Sequence, residues 1–352
     1  MITAKLGGSS VTASNLWHLK QILTPFHKCV VVSAVGKEHR ADSKVTDLLV
    51  NYFQTGSEVA WQQIADKLKR LATVNAIDID VDALLFDAKK RARKFDLAYC
   101  MSLGEELSAK LVAKFVNATY LEAEQIVRFS NGKFDKKRTY LNVKNALKGV
   151  ELAVMGGFYG GSDCGRCTFS RGGGDVTGAV VAAASNSLLY ENWTDVNGVC
   201  VANPTLVHGV STVDYMSYDE MLLLSRGGAE VLHPDAIAPV REKGIPIKIG
   251  NFTNPFGKST LVSNCPSHCK LLSIAEKRVE TNVVTTVLHS FADWEIAQLV
   301  SNFLHGYTKQ LCYFETVRQV STLTVYGVEF QSGIVRITTD ASILKDLYNH
   351  LI

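Results

Sequence analysis

Ser170-Arg171-Gly172-Gly173-Gly174-Asp175 opens directly into an apolar, alanine-rich run, Thr177–Leu189. Consecutive glycines let the backbone approach a ligand closely and take positive φ. The first turn of a helix that follows aims unpaired N–H groups at the same spot. The arginine supplies a two-pronged donor for carboxylate or phosphate, and the aspartate adds a negative charge. That set suits handling a phosphoryl group and an acidic small molecule side by side. A second turn, Lys5-Leu6-Gly7-Gly8-Ser9-Ser10, ends the first apolar run. A lysine leaving a strand end beside glycine and serine amides neutralises charge spread over transferring phosphate oxygens. The turn is neither a Walker A sequence nor a G-x-G-x-x-G fingerprint.

Other polar residues fall at element ends. Ser33 closes a valine-rich run and Thr46 stands where the next helix begins, so both are candidate hydrogen-bond donors or caps. In Ser102-Leu103-Gly104-Glu105-Glu106 the carboxylates are expected at a helix start, where the dipole favours them. One of the two is a candidate for holding an ammonium group, and spacing does not say which. Trp193-Thr194-Asp195-Val196-Asn197-Gly198 ends a strand in a turn, and loops of that kind line ligand crevices in parallel sheets. Cys164/Cys167 and Cys265/Cys269 have metal-like spacing, with His268 as a further ligand, but read more simply as unrelated loop and strand thiols.

These residues need a scaffold of alternating strands and helices. Strand patterns cover Ile2–Leu6, Cys29–Ala34, Glu151–Met155, Ser187–Trp193 and Ile245–Ile249. Helical periodicity covers Leu16–Leu23, a run from Val45, Glu58–Val74, Val81–Tyr99, Leu103–Val116, Thr177–Ala184, Tyr218–Leu224 and Asp235–Lys243. Such alternation predicts an α/β fold, a mostly parallel sheet sandwiched by helices. After Pro255-Phe256-Gly257-Lys258 the pattern changes. Strands at Asn282–Leu288, Gln310–Phe314, Ser321–Tyr326 and Gly333–Thr338, with helices at Asp293–Leu304 and Ile343–Leu351, predict a small α+β domain. The boundary is placed near Asn264, giving domains 1–264 and 265–352.

The chain has 352 residues, 47% of them hydrophobic and 20% charged, enough for a sizeable core. A formal charge of +3 is too balanced to point to nucleic acid. The densest basic run, Lys89-Lys90-Arg91-Ala92-Arg93-Lys94, reads as one solvated helix face. No run approaches the length of a membrane span and the N-terminus does not read as a signal peptide, so the expected location is cytoplasmic, with the eight cysteines as free thiols.

In this order, Lys-x-Gly-Gly-Ser-Ser, Val-Ser-Ala-Val-Gly, Ser-Leu-Gly-Glu, Gly-Gly-Phe-Tyr-Gly, Ser-Arg-Gly-Gly-Gly-Asp and Trp-Thr-Asp-Val-Asn-Gly resemble the aspartate kinases of the amino-acid kinase superfamily. Gly228-Ala229-Glu230-Val231-Leu232-His233-Pro234 and Gly244-Ile245-Pro246-Ile247 extend the likeness to about residue 262. The resemblance implies the amino-acid kinase fold, followed by an ACT-like regulatory or dimerisation domain. It implies transfer of the γ-phosphoryl of ATP, with Mg2+, to the side-chain carboxylate of L-aspartate, giving 4-phospho-L-aspartate for amino-acid biosynthesis. Lys5 and Asp175 would then be catalytic, with Ser33, Thr46, Glu105, Arg171 and Gly174 on the acceptor. Lys5, Gly7, Gly8, Ser9, Thr194, Asp195, Cys200 and Glu230 would face the nucleotide, and no resident metal site is implied. Partners would be L-aspartate, ATP and an amino-acid effector such as lysine or threonine, in a homodimer, with no nucleic acid or membrane. Four positions depart from the pattern. Gly174 stands where many relatives have serine, Glu230 where many have lysine, Thr205 where many have arginine, and Cys200 where tyrosine is usual. The same acyl-phosphate chemistry on another amino acid, or a catalytically weak amino-acid sensor, are the alternatives these departures leave open.

Overall fold

A computed structural model describes residues 1–170, 172–203, 209–229, 231–265, 271–279, 282–289, 325–331 and 334–340, together with 295, 298–300, 302–303 and 348. The chain divides into two compact units, Met1–Val196 with Asp235–Gly257, and Asn197–Pro234 with Lys258–Ile352.

The first unit carries a parallel sheet. Its strands are β1 (Ile2–Leu6), β2 (His27–Val32), β3 (Thr119–Leu121), β4 (Ala153–Gly156), β5 (Leu189–Thr194) and β6 (Ile247–Asn251), in the spatial order β6-β5-β1-β2-β4-β3. Side chains alternate across a strand, so β2 serves both faces. Val30 and Val32 join a core with helices α1 (Val45–Thr55), α2 (Glu58–Val74), α3 (Val81–Ala92) and α4 (Leu97–Phe115). Cys29 and Val31 join a second core with α5 (Lys136–Ala146) and α6 (Gly173–Ala184). Each fully buried valine or leucine contributes about 1.5–3 kcal/mol, which is why both faces are covered. The expected helix-sheet-helix sandwich is therefore present.

One helix boundary differs from the periodicity. Asp96 accepts the Tyr99 N–H at 2.8 Å and starts α4 at Leu97, so the break falls at 93–96 rather than between Tyr99 and Leu103. Similarly, α6 begins at Gly173, which draws the second and third glycines and Asp175 into its first turn. Its N-cap, Gly172, has φ +74°, a backbone conformation that favours glycine. The basic run also splits. Lys89 pairs with Glu58, whereas Arg91 turns inward onto Glu106, so it is not one solvated face.

In the second unit, helix Tyr218–Gly227 starts with a reciprocal Ser217–Glu220 capping box. Strands Leu271–Val279, Asn282–His289, Ile334–Asp340 and Val325–Gln331 form an antiparallel sheet in that order. Leu271–Val279 was not expected. The expected strand Gln310–Phe314 and most of the two expected C-terminal helices lie outside the described residues.

Candidate active site

Lys5 lies between Ala4 and Leu6, which face the larger core, so its own side chain leaves the sheet on the α6 face. There its Nζ meets Asp175 Oδ1 at 2.6 Å, in the first turn of α6. Helix and strand are close because residue 178 is glycine. A Cβ at that position would stand 2.7 Å from the Tyr190 hydroxyl and 3.0 Å from Lys5 Cβ. Tyr190 OH donates to the Asp175 carbonyl at 3.0 Å and ties β5 to the same turn. Gly174 faces this group as well, since a Cβ there would lie 3.2 Å from Ser33 Oγ and 3.5 Å from Lys5 Cε. Lys5, Ser33, Gly174 and Asp175 thus converge from three elements. Lys5 is 8% exposed, so its charge acts where water screens little.

The approach to α6 is shaped by an antiparallel hairpin, Tyr159–Ser162 with Gly165–Thr168, which the sequence pattern did not reveal. Phe158, just before it, holds φ +74°. That strained backbone is fixed by donation of its N–H to Thr177 Oγ1 at 3.0 Å and by acceptance from the Phe169 N–H at 2.7 Å.

The two adjacent glutamates of α4 have opposite surroundings. Glu106 is pinned by Arg166 at 2.8 Å, Arg91 at 2.9 Å and Lys110 at 2.6 Å. Burial alone would raise its pKa, but these cations prevail and hold it down at about 2. Glu105 is 5% exposed, and its Oε2 has no hydrogen-bond partner among the described residues. Burial pushes its carboxyl up to about 8, with only backbone amides opposing. Glu105 also lies inside α4, more than two turns from its start, so the helix dipole does not account for it. Spacing could not separate the pair, because neighbouring helical residues point in different directions and only their partners differ.

Glu105 lines a cleft of about 520 Å³ together with Gly8, Ser9, Ser33, Thr46 and Asp195. Residues expected from the strand-end turns and from α4 are thereby brought together. Gly7 does not line the cleft; its N–H donates to the Trp193 carbonyl at 3.0 Å, which ties the turn to the end of β5. Thr194 donates its hydroxyl to Asp195 Oδ1 at 3.0 Å. Cys200 belongs to the second unit, where it bridges to Thr212. Arg171, Thr205 and Glu230 lie outside the described residues. Sequence reading missed the cleft wall formed by the Gly36–Lys44 loop, which contributes Lys37, His39, Arg40 and Lys44. Among the described residues, no group of three or more His, Cys, Asp or Glu side chains could hold a metal ion, and no helix is long and apolar enough to cross a membrane.

A strand-end lysine paired to an aspartate in a glycine-rich helix start thus stands on a parallel sheet covered on both faces, an α/β domain with a buried cation at the ends of its strands. Residues 1–251 match the amino acid kinase family model, and the chain belongs to that family. It is similar to aspartokinase 3 of Bacillus subtilis, 34% identical over 288 residues that cover 74% of this chain and 63% of that protein, so it spans under two thirds of this relative's length. Its fold is similar to the aspartate kinase of Clostridium acetobutylicum, described as allosteric, with a TM-score of 0.82, 23% identity and coverage of 100% of this chain and 99% of that one. It is also similar to E. coli aspartokinase III in complex with aspartate and ADP, with a TM-score of 0.69, 21% identity and coverage of 97% and 79%.

Proposed function

We propose that this chain transfers the γ-phosphoryl of MgATP to the side-chain carboxylate of L-aspartate, giving 4-phospho-L-aspartate. The observation that carries the reading is the pairing of two needs at one place. The Lys5–Asp175 pair and the Gly7–Ser9 turn suit a phosphoryl group, and the buried Glu105 carboxylate, one of whose oxygens has no hydrogen-bond partner among the described residues, with Ser33 and Thr46 suits an acid that also bears an ammonium. The acceptor carboxylate is already ionised at neutral pH, so the site needs no general base. Its task is positioning and charge neutralisation. Lys5 offsets the charge on the transferring phosphoryl, and Asp175 orients that lysine. Glu105 takes the acceptor ammonium, Ser33 and Thr46 donate to its carboxylates, and Arg171 clamps one of them. Thr194, Asp195, Cys200 and Glu230 belong to the nucleotide side, where MgATP enters as substrate with its magnesium carried on phosphate oxygens.

Residues 1–264 are assigned the catalytic role and 265–352 the role of an ACT-like regulatory or dimerisation domain in a cytoplasmic homodimer. The free thiols found among the described cysteines suit a reducing compartment. An amino-acid effector such as lysine or threonine would act there by binding two conformations unequally. Gly174 favours a second reading, the same chemistry on another amino acid or small acid, because it presents no hydroxyl beside Ser33 Oγ and Lys5 Cε. ADP formation measured with L-aspartate, D-aspartate, L-glutamate and succinate separates the two. Turnover with L-aspartate alone supports the proposal, and preference for L-glutamate supports the second reading. Turnover with succinate as good as with L-aspartate would contradict a role for Glu105.

A further inference from the structure

Arg166 stands on the second strand of the hairpin Tyr159–Ser162 with Gly165–Thr168, and its side chain is only 3% exposed. Its guanidinium reaches two neighbouring segments. Toward α4 it donates to Ser102 Oγ at 2.8 Å and pairs with Glu106 Oε2 at 2.8 Å. Toward the segment after β3 its Nε donates to Glu124 Oε2 at 2.6 Å, and Glu122 Oε1 lies 3.5 Å from Nη2. The same group lies over the rings of Tyr99, at 4.3 Å, and Tyr159, at 4.7 Å. Tyr159 in turn donates its hydroxyl to Glu122 Oε1 at 2.7 Å. A buried ion network is a poor source of net stability, because well-packed apolar side chains serve as well. It selects one arrangement, since a planar fork must meet all its acceptors at once.

That arrangement reaches both halves of the candidate site. Consecutive helical residues point about 100° apart, so Glu106 held against Arg166 turns Glu105 away from the network and into the cleft. The base of the hairpin is fixed to α6, where the Phe158 N–H donates to Thr177 Oγ1 at 3.0 Å. Two glycines at the end of β4 complete the link. A Cβ on Gly156 would stand 2.9 Å from Tyr159 Cε1 and 3.2 Å from Glu105 Cβ. One on Gly157 would stand 3.0 Å from Gly174 Cα, in the first turn of α6. Glu105 and the helix that carries Asp175 therefore pack on adjacent residues, and the hairpin clamped by Arg166 runs directly on from them.

We infer that Arg166 is a positioning residue of this site: by joining the hairpin to α4 it fixes the separation of Glu105 from the Lys5–Asp175 pair. Arg166 itself does not line the cleft. The inference rests on the kinase reading, in which Glu105 holds the acceptor and Lys5 meets the phosphoryl group. The full chain is compared with R166K, which keeps the charge and loses the fork, and with R166M/E106Q, which removes a buried cation and a buried carboxylate together. Arg91 and Lys110 stay on Glu106 in the first variant, and their partly exposed side chains reach water in the second. ADP formation gives kcat and both KM values, titration calorimetry with L-aspartate and with MgADP counts competent sites, and thermal unfolding reports the fold. In both variants kcat per competent site should fall about 100-fold, the loss that a shift of about 1 Å between reacting groups causes, with both KM values within about threefold of wild type. A merely structural role predicts fewer competent sites or a lower unfolding midpoint with kcat per site unchanged, and that result would overturn the inference. A raised KM for L-aspartate with unchanged kcat would overturn it as well. Should R166K lose its cooperative transition, the double variant decides by the same criteria. Wild type that forms no ADP with any acid removes the kinase reading and the inference with it, whereas active wild type with equally active variants removes the inference alone.

Discussion

Burial pushes the Glu105 carboxyl up to about 8, which gives the proposed acceptor site its own pH signature. Unliganded Glu105 is mostly protonated at neutral pH, because burial disfavours its charge. An ammonium ligand needs it ionised, so binding below pH 8 must expel a proton. Affinity for L-aspartate should therefore rise up to about tenfold per pH unit approaching pH 8 and level off above it. The stability of the free protein should move the other way. The folded pKa is raised, so the stabilisation is complete below the usual carboxylate range and is lost as pH rises through about 8. In Glu105→Gln both slopes should vanish, the aspartate affinity remaining weak at every pH. Calorimetric titrations and thermal unfolding between pH 5 and pH 9 would show this, and an unchanged slope in the variant would contradict it. Much of the candidate site was legible at this scale. Lys5, Ser33, Thr46 and Asp175 stand at element ends, where side chains face crevices. The choice between Glu105 and Glu106, and the place of the Gly36–Lys44 loop in the cleft wall, were not legible. Both depend on partners such as Arg166 and Lys67 that are distant in sequence.

At the scale of elements, the site depends on how closely α6 approaches β1 and β5. Gly178 sets that distance, and a methyl group there would press on Tyr190 and Lys5. Gly178→Ala should cost about 1–3 kcal/mol by overpacking. It should also lower kcat more than it raises KM, because moving α6 separates Asp175 from Lys5 while leaving Glu105 and Thr46 in place. Urea unfolding and steady-state kinetics test this together, and a variant as stable and active as wild type would refute it. Long elements were read well because their patterns repeat over many residues. Glu58–Val74 was expected with its observed ends, and Ile2–Leu6 likewise. Short ones were not. Thr119–Leu121 is too brief for alternation to show, and the hairpin around Ser162–Gly165 is built from glycine and polar residues rather than β-formers. The start of α4 was misplaced because its apolar periodicity runs on from α3. Only the Asp96 cap separates the two.

At the scale of the molecule, the parallel sheet was legible because strands covered on both faces read as continuous apolar runs. The division into two units was less so. Segment Asn197–Pro234 groups with residues after Lys258, although the alternation of strand and helix patterns in the sequence runs on through it. The proposed product is an acyl phosphate, which can be trapped directly. The protein should be incubated with MgATP, L-aspartate and hydroxylamine, beside a Lys5→Ala variant, and assayed for aspartyl hydroxamate. Hydroxamate is expected with wild type, with a loss of at least about 100-fold in the variant, because the proposed role of Lys5 is to offset charge that develops during transfer. Nucleotide and aspartate binding with no hydroxamate, or hydroxamate formation that survives loss of Lys5, would contradict that expectation.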